Sequence, residues 1–343
     1  MRSLKGLVPK VKRVTSVSNI TNMKCFDFEH INLVPRKCIV ESRKECDTSI
    51  QVGKYKFKVP VIPANMECVI NEEIAEKLAK NGYFYVMHRF DIDVVEFIRS
   101  MKSKNLYASI SIGVNDDAYE LMNVLRKEEL IPEFITIDIA HGHAIKMETM
   151  LQWIRSIPEF NNVFVIAGNV GTPDAVRDLE NWGANGIKVG IGPGAACTTY
   201  HSTGFGTRGI QLSSVHECSK ATFKPETLII ADGGIKEAGD IAKCMVLGAN
   251  LVMVGGMFSG MKDSPGNTVT LDGKSYKEYW GSASAFQSGK SNRIEGTKKL
   301  LPLNDKTILE QMVYIEECLQ SAISYGGCKK IMDMTNVDYI IKK

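Results

Sequence analysis

From about residue 59 the chain repeats one pattern: a short apolar run rich in Val and Ile, a polar turn, then apolar positions at helical spacing. The apolar runs predict strands at 59–66, 84–89, 107–114, 134–142, 162–170, 186–194, 227–234 and 251–258. The segments between them predict helices, among them 72–81, 94–103, 119–129, 173–181 and 236–247. Strands apolar on both faces belong to a parallel sheet covered by helices. Their starts fall about every 25 residues, the length of one βα unit, and eight such units predict closure into a single (β/α)8 barrel. An open doubly wound sheet is the alternative, but no G-x-G-x-x-G opens a helix after the first strand.

The rhythm breaks twice. A long loop separates the sixth and seventh strands, and residues 262–300, rich in Gly, Ser, Lys and Asn, follow the eighth before a helix expected at 307–323. Both follow the C-terminal end of a strand, the barrel face where active sites form, so 262–300 is expected to be a mobile flap. The first 22 residues carry five basic and no acidic residues and no apolar period. They read as a disordered extension, with a targeting segment, a cloning remnant or a true start at Met23 as alternatives.

Charge and cysteines narrow the classes. A net charge of +3 argues against nucleic acid or a membrane surface as the main partner. No apolar run is long enough to span a bilayer and no secretory signal opens the chain, so a cytoplasmic location is expected. Nine cysteines with no C-x-x-C suit reduced thiols rather than a disulfide framework or a zinc site.

The loop after the sixth strand, Gly190-Ile191-Gly192-Pro193-Gly194-Ala195-Ala196-Cys197-Thr198-Thr199, is the most telling stretch. Glycines let bare N–H groups approach a ligand, and a cysteine among such donors and hydroxyls can be held as a thiolate. A small buried thiol beside a tight turn is the plain alternative. Strands seven and eight end in Asp232-Gly233-Gly234 and Gly255-Gly256, where barrels commonly hold a phosphate, and Asp232 is placed to accept from a ribose diol. Tight turns with a capping Asp are the alternative. Asp138, inside a buried strand, must be paired or functional. His141 and His143 read as helix caps before acids or bases, and Met66 serves equally as core or against a ring.

Together these motifs resemble the guanosine 5′-monophosphate reductase and inosine 5′-monophosphate dehydrogenase family over residues 23–343. The resemblance implies a (β/α)8 barrel in which Cys197 attacks C2 of a purine nucleotide. The spacing leaves no room for the regulatory modules most dehydrogenases insert. The flap has Arg293-Ile294 instead of their Arg-Tyr pair, and is similar to the Glu-Gly-x-Lys of the reductase branch. Met87-His88-Arg89-Phe90-Asp91 and 276–284 are similar to bacterial-type members of that branch. What it implies is reductive deamination of GMP by NADPH to IMP and ammonia, by a homotetramer.

By the same resemblance, Thr199 and Glu295 relay the proton, and Asp138 orients substrate and cofactor. Asp232, Gly233, Gly234, Gly255, Gly256, Met66, Ser282 and Arg293 bind the nucleotide. Asp138, His88, Arg89, Gly281 and Ser284 meet the cofactor, and carbonyls of Gly192, Gly194 and Cys197 hold a monovalent cation such as K+. Two positions depart from the pattern: Ala195 replaces a phosphate-touching serine, and His88-Arg89 stands where animal reductases have His-Lys. The rival readings are an IMP dehydrogenase without regulatory modules, an FMN-holding barrel with a structural cysteine, and a non-catalytic purine-nucleotide sensor.

Overall fold

The computed structural model describes residues 25–282, 284 and 296–342. The basic extension at 1–22 lies outside them. Seven strands hydrogen-bond in parallel in the order β4 (Val61–Pro63), β10 (Leu251–Val254), β9 (Leu228–Asp232), β8 (Gly186–Val189), β7 (Phe164–Val170), β6 (Phe134–Asp138) and β5 (Ser109–Ile112). The first strand therefore pairs with the last, as a curled α/β barrel requires, and β5, β8 and β10 are buried throughout.

The eighth position, between β4 and β5, departs from expectation. Residues 84–89 are mostly buried there but form no regular strand. Met87 N–H donates to Ser109 O at 3.0 Å, and other bonds come from side chains. The Tyr107 hydroxyl donates to Tyr83 O at 2.6 Å, that of Tyr85 to Tyr107 O at 3.0 Å, and that of Ser111 to Met87 O at 2.6 Å. Buried hydroxyls thus satisfy carbonyls that a ladder would otherwise pair. Beneath them the hairpin β2 (Ile50–Val52) and β3 (Tyr55–Phe57) sets Phe57 against Phe84, with Phe134 tilted against the same Phe84 ring, both centroid pairs 4.8 Å apart.

Helices start where caps allow. Asn71, Asp93 and Thr172 accept N–H bonds from Ile74, Glu96 and Ala175 at the heads of Glu72–Lys80, Val94–Ser103 and Pro173–Trp182. Amphipathic faces then bury Leu78, Met101 and Leu179 against the sheet. The helix expected at 307–323 spans Ile308–Tyr325 behind a Thr307–Glu310 capping box. No helix among the described residues is long and apolar enough to cross a membrane.

The stretch after β10 is more ordered than its composition suggests. β11 (Thr268–Leu271), β12 (Lys274–Trp280) and β13 (Lys298–Pro302) form an antiparallel sheet. Asp272 and Gly273, both at positive φ, make its two-residue turn, a pairing whose twist suits a hairpin. Residues 285–295, which include Arg293 and Glu295, lie outside the described residues.

Candidate active site

The loop following β8 is shaped by positions that tolerate no side chain. Gly190 has φ +152°, and a Cβ there would lie 2.0 Å from Asp232 O. Gly192 is at φ +76°. The return of the loop is fixed by Thr207, whose N–H donates to Ile191 O at 2.7 Å and whose hydroxyl donates to Gln211 Oε1 at 2.6 Å. Gln211 Nε2 in turn donates to Val189 O at 2.8 Å, closing the circuit on the strand that launched the loop. Gly190→Ala is therefore expected to lower stability by more than about 2 kcal/mol, read as a lower denaturant midpoint.

Cys197 sits at the end of this loop, half-buried, with Sγ 3.2 Å from Thr199 Oγ1. Cys197 N–H donates to Gly194 O at 3.1 Å. The far side is clamped by the segment leading into β13: Thr297 N–H donates to Ala196 O at 2.9 Å and Gly296 bridges Cys197. A cavity of about 410 Å³ opens in front of the sulfur at the C-terminal ends of the strands. Such a volume suits a small-molecule ligand.

One charged triad forms its floor. Lys188, in the middle of β8 and 2% exposed, sends Nζ to Asp138 Oδ1 at 2.6 Å and Asp232 Oδ2 at 3.0 Å. Asn65 Nδ2 donates to Asp138 Oδ2 at 3.0 Å, and Asn169 Nδ2 to Asp232 Oδ2 at 2.8 Å. The carboxylates keep an open edge toward the cavity, 22% and 18% exposed. Burial pushes the Asp138 carboxyl up, but the Lys188 charge and the Lys188 and Asn65 hydrogen bonds outweigh it and hold the group below its ordinary value. Lys188 is opposed by burial yet raised by both carboxylates, so it stays an ammonium. The result is two fixed anions aimed at one cavity, suited to hydroxyl or amide donors of a ligand.

The structure brings most expected residues together. Met66, Arg89, Asp138, Asp232 and Gly233 line the cavity, as do Gly255, Gly281 and Ser282. Gly192, Gly194, Cys197 and Thr199 line it from the loop. Others lie apart from that lining. Gly234 packs on the Phe28 ring, a Cβ at Gly256 would meet nothing within 4 Å, and buried Ser284 donates its N–H to Gly281 O. His88 faces a second cavity of about 670 Å³, where burial lowers its imidazole to about 4 and keeps it neutral. His143 binds Asp178 at 2.8 Å, outside the cavity lining.

Three contributors escaped the sequence reading. Lys188 had a signal: a lysine inside an apolar four-residue strand must find a counter-charge. Asn169 had none, being one amide among many. Tyr279, at the end of β12, places its hydroxyl 2.8 Å from where a Gly255 Cβ would be, which explains the glycine. Burial raises that phenol, leaving it a hydrogen-bond donor at neutral pH.

Residues 25–343 match the family described as IMP dehydrogenase / GMP reductase domain. The chain is 52% identical to the GMP reductase of Acidovorax sp. (strain JS42) over 320 residues, covering 93% of this chain and 96% of that protein. It is 53% identical to the GMP reductase of Staphylococcus carnosus (strain TM300), with 93% and 97% covered. For the GMP reductase of Bacillus subtilis (strain 168) the identity is 52%, with 93% and 96% covered.

Proposed function

Because this chain belongs to the IMP dehydrogenase / GMP reductase family, we propose that it carries out the NADPH-dependent reductive deamination of GMP to IMP, with release of ammonia. The observation that carries the reading is the Cys197–Thr199 pair at one cavity with the Asp138–Lys188–Asp232 triad.

Direct hydride attack on GMP is blocked because its amino group is a poor leaving group until protonated. Cys197 Sγ adds to C2, a proton reaches the 2-amino nitrogen, and ammonia leaves a thioimidate on the sulfur; two moderate barriers replace a high one. Thr199 Oγ1, 3.2 Å from the sulfur, is placed to hand a proton onward, with Glu295 as its relay partner. Asp232 accepts from the ribose, and the glycine at 255 keeps the wall beside the Tyr279 hydroxyl free of a side chain where the phosphate would lie, while the Gly233 N–H is already given to Met253 O at 3.3 Å.

The residues present fit a nicotinamide cofactor. Asn169 Oδ1 is buried with no hydrogen-bond partner among the described residues, and a carboxamide N–H would satisfy it. Arg89 adds a cation at the cavity beside Asp138. When bound, the reduced nicotinamide supplies the hydride that no side chain offers. The carbonyls of Gly192, Gly194 and Cys197 would hold a monovalent cation such as K+; that of Gly194 accepts the Cys197 N–H at 3.1 Å and keeps a second lone pair for the ion. A homotetramer and a cytoplasmic location belong to the same reading.

The test is loss of the reduced-nicotinamide absorbance with GMP and NADPH, in step with ammonia release. Turnover of IMP with NAD+ and no reaction with GMP would establish the dehydrogenase instead. Glu295→Gln separates the two half-reactions. It is expected to slow ammonia release by roughly 10²–10⁴-fold, the usual cost of a lost general acid. Hydride transfer, followed from IMP and NADP+, needs no new proton at nitrogen and is expected to change far less. Equal loss in both would make Glu295 a lid residue.

A further inference from the structure

A single buried amide behind the cavity joins three segments on which the site depends. Gln211, 0% exposed at the start of the helix Gln211–Ser219, lies outside the cavity lining. Its Nε2 donates to Val189 O at 2.8 Å and to Asp232 O at 3.3 Å, at the ends of β8 and β9. Its Oε1 accepts the Thr207 hydroxyl at 2.6 Å. The amide has one workable orientation, because turned over it would set an oxygen against two carbonyls.

Thr207 carries this hold onward to the nucleophile's loop. Its hydroxyl accepts the Ile191 N–H at 3.1 Å, and its own N–H donates to Ile191 O at 2.7 Å. Gly190 leaves the space that the amide needs, since a Cβ there would stand 3.0 Å from Gln211 Nε2. On the cavity side, Asn169 Nδ2 donates to Gly190 O at 2.7 Å and to Asp232 Oδ2 at 2.8 Å. The start of the Cys197 loop and the end of β9 are thus laced together twice, by Asn169 at the cavity and by Gln211 behind it. The Asp232 carboxylate keeps Lys188 and Asn169 whatever stands at 211, whereas the loop loses the bond that seats Thr207.

We propose that Gln211 is a positioning residue, holding the Cys197 loop in register with the strand end that carries Asp232. Its catalytic consequence rests on the covalent chemistry proposed above, in which the sulfur must meet C2 of a nucleotide whose ribose Asp232 holds. Sulfur and carboxylate belong to different segments, and about 1 Å of misplacement between reacting groups can cost roughly 10²-fold in rate. Binding should survive the loss of Gln211, because the ribose acceptor is intact, while the bond-forming step slows.

Gln211→Met removes all three hydrogen bonds at nearly constant volume. It should lower kcat by roughly 10²-fold and leave KM for GMP within about threefold of wild type. Gln211→Glu, the same size, keeps the acceptor for Thr207 but turns an oxygen toward Val189 O and Asp232 O. As a carboxylate it is repelled by both carbonyls; protonated, its O–H donates again. Its kcat relative to wild type should therefore rise as pH falls from about 8.5 to about 5.5, a response that lost packing would not produce. Amide hydrogen exchange needs no substrate: at neutral pH the Ile191 N–H should exchange faster in both variants, and the Ile187 N–H inside β8 should not. The proposal is overturned if Gln211→Met retains wild-type kcat, if KM rises as far as kcat falls, if the Gln211→Glu ratio is flat with pH, or if Ile191 exchange is unchanged. A wild-type chain inactive with GMP and NADPH would sink the reductase reading instead, and exchange at Ile191 would still decide whether Gln211 holds the loop.

Discussion

Cys197→Ala is expected to abolish ammonia release and NADPH oxidation together. Under the proposed mechanism both halves pass through the same carbon–sulfur bond, so no half-reaction can survive its loss. The residual rate should be that of binding and positioning alone, several orders of magnitude down, with the circular dichroism spectrum unchanged because the side chain is only half-buried. GMP binding should persist, since the ribose and phosphate contacts lie on other strands. Cys318→Ala, on the outer helix Ile308–Tyr325, is the matched control and should retain full turnover. Survival of either half-reaction in Cys197→Ala would refute covalent catalysis.

Lys188→Met should be nearly as damaging, for an electrostatic reason. It leaves two carboxylates facing each other with only the Asn65 and Asn169 amides as donors. Removing one partner of a buried ion pair typically costs about 3–5 kcal/mol, and here one ammonium serves two anions. The pH dependence identifies the cause. The lowered Asp138 contributes stability above the ordinary carboxylate range, lost as pH falls through its folded value; the raised Lys188 contributes below the ordinary lysine range, lost as pH rises through its folded value. The difference between wild type and variant should therefore be large at neutral pH and vanish only as pH falls through the lowered folded value of Asp138, below the ordinary carboxylate range. A difference constant from pH 3 to pH 7 would mean that packing, not charge, is what the lysine provides. GMP affinity should fall as well, because without the ammonium Asp232 loses one of the two hydrogen bonds that aim its carboxylate at the ribose diol.

Periodicity made the barrel legible because strands buried on both faces leave unbroken apolar runs, as Leu251–Val254 does. It failed at 84–89 because apolar content reports burial, not hydrogen bonding, and this segment is tied to its neighbour largely through the Tyr85, Tyr107 and Ser111 hydroxyls. The sheet after β10 was hidden by its composition, although Asp272-Gly273 between β-forming residues was a readable hairpin signal. At the site, Cys197, Asp138 and Asp232 announced themselves through glycines and strand ends. Their pairing with Asn65, Asn169 and Lys188 was not legible, since these residues meet them across 73, 63, 50 and 44 positions of chain. Such encounters are products of barrel closure.

The clamp on the cysteine loop also imposes an order on synthesis. Ala196 and Cys197 are fixed by Gly296 and Thr297, β4 finds its edge partner only in β10, and β1 (Ile31–Leu33) pairs with β14 (Tyr339–Ile341). A nascent chain that has emerged as far as its nucleophile still lacks the strand that closes the barrel and the segment that holds the sulfur in place. Translation must run past Thr297, about a hundred residues beyond the nucleophile, before the thiol meets the segment that clamps it, so nascent or truncated chains that stop short of that point carry the cysteine without its chemistry.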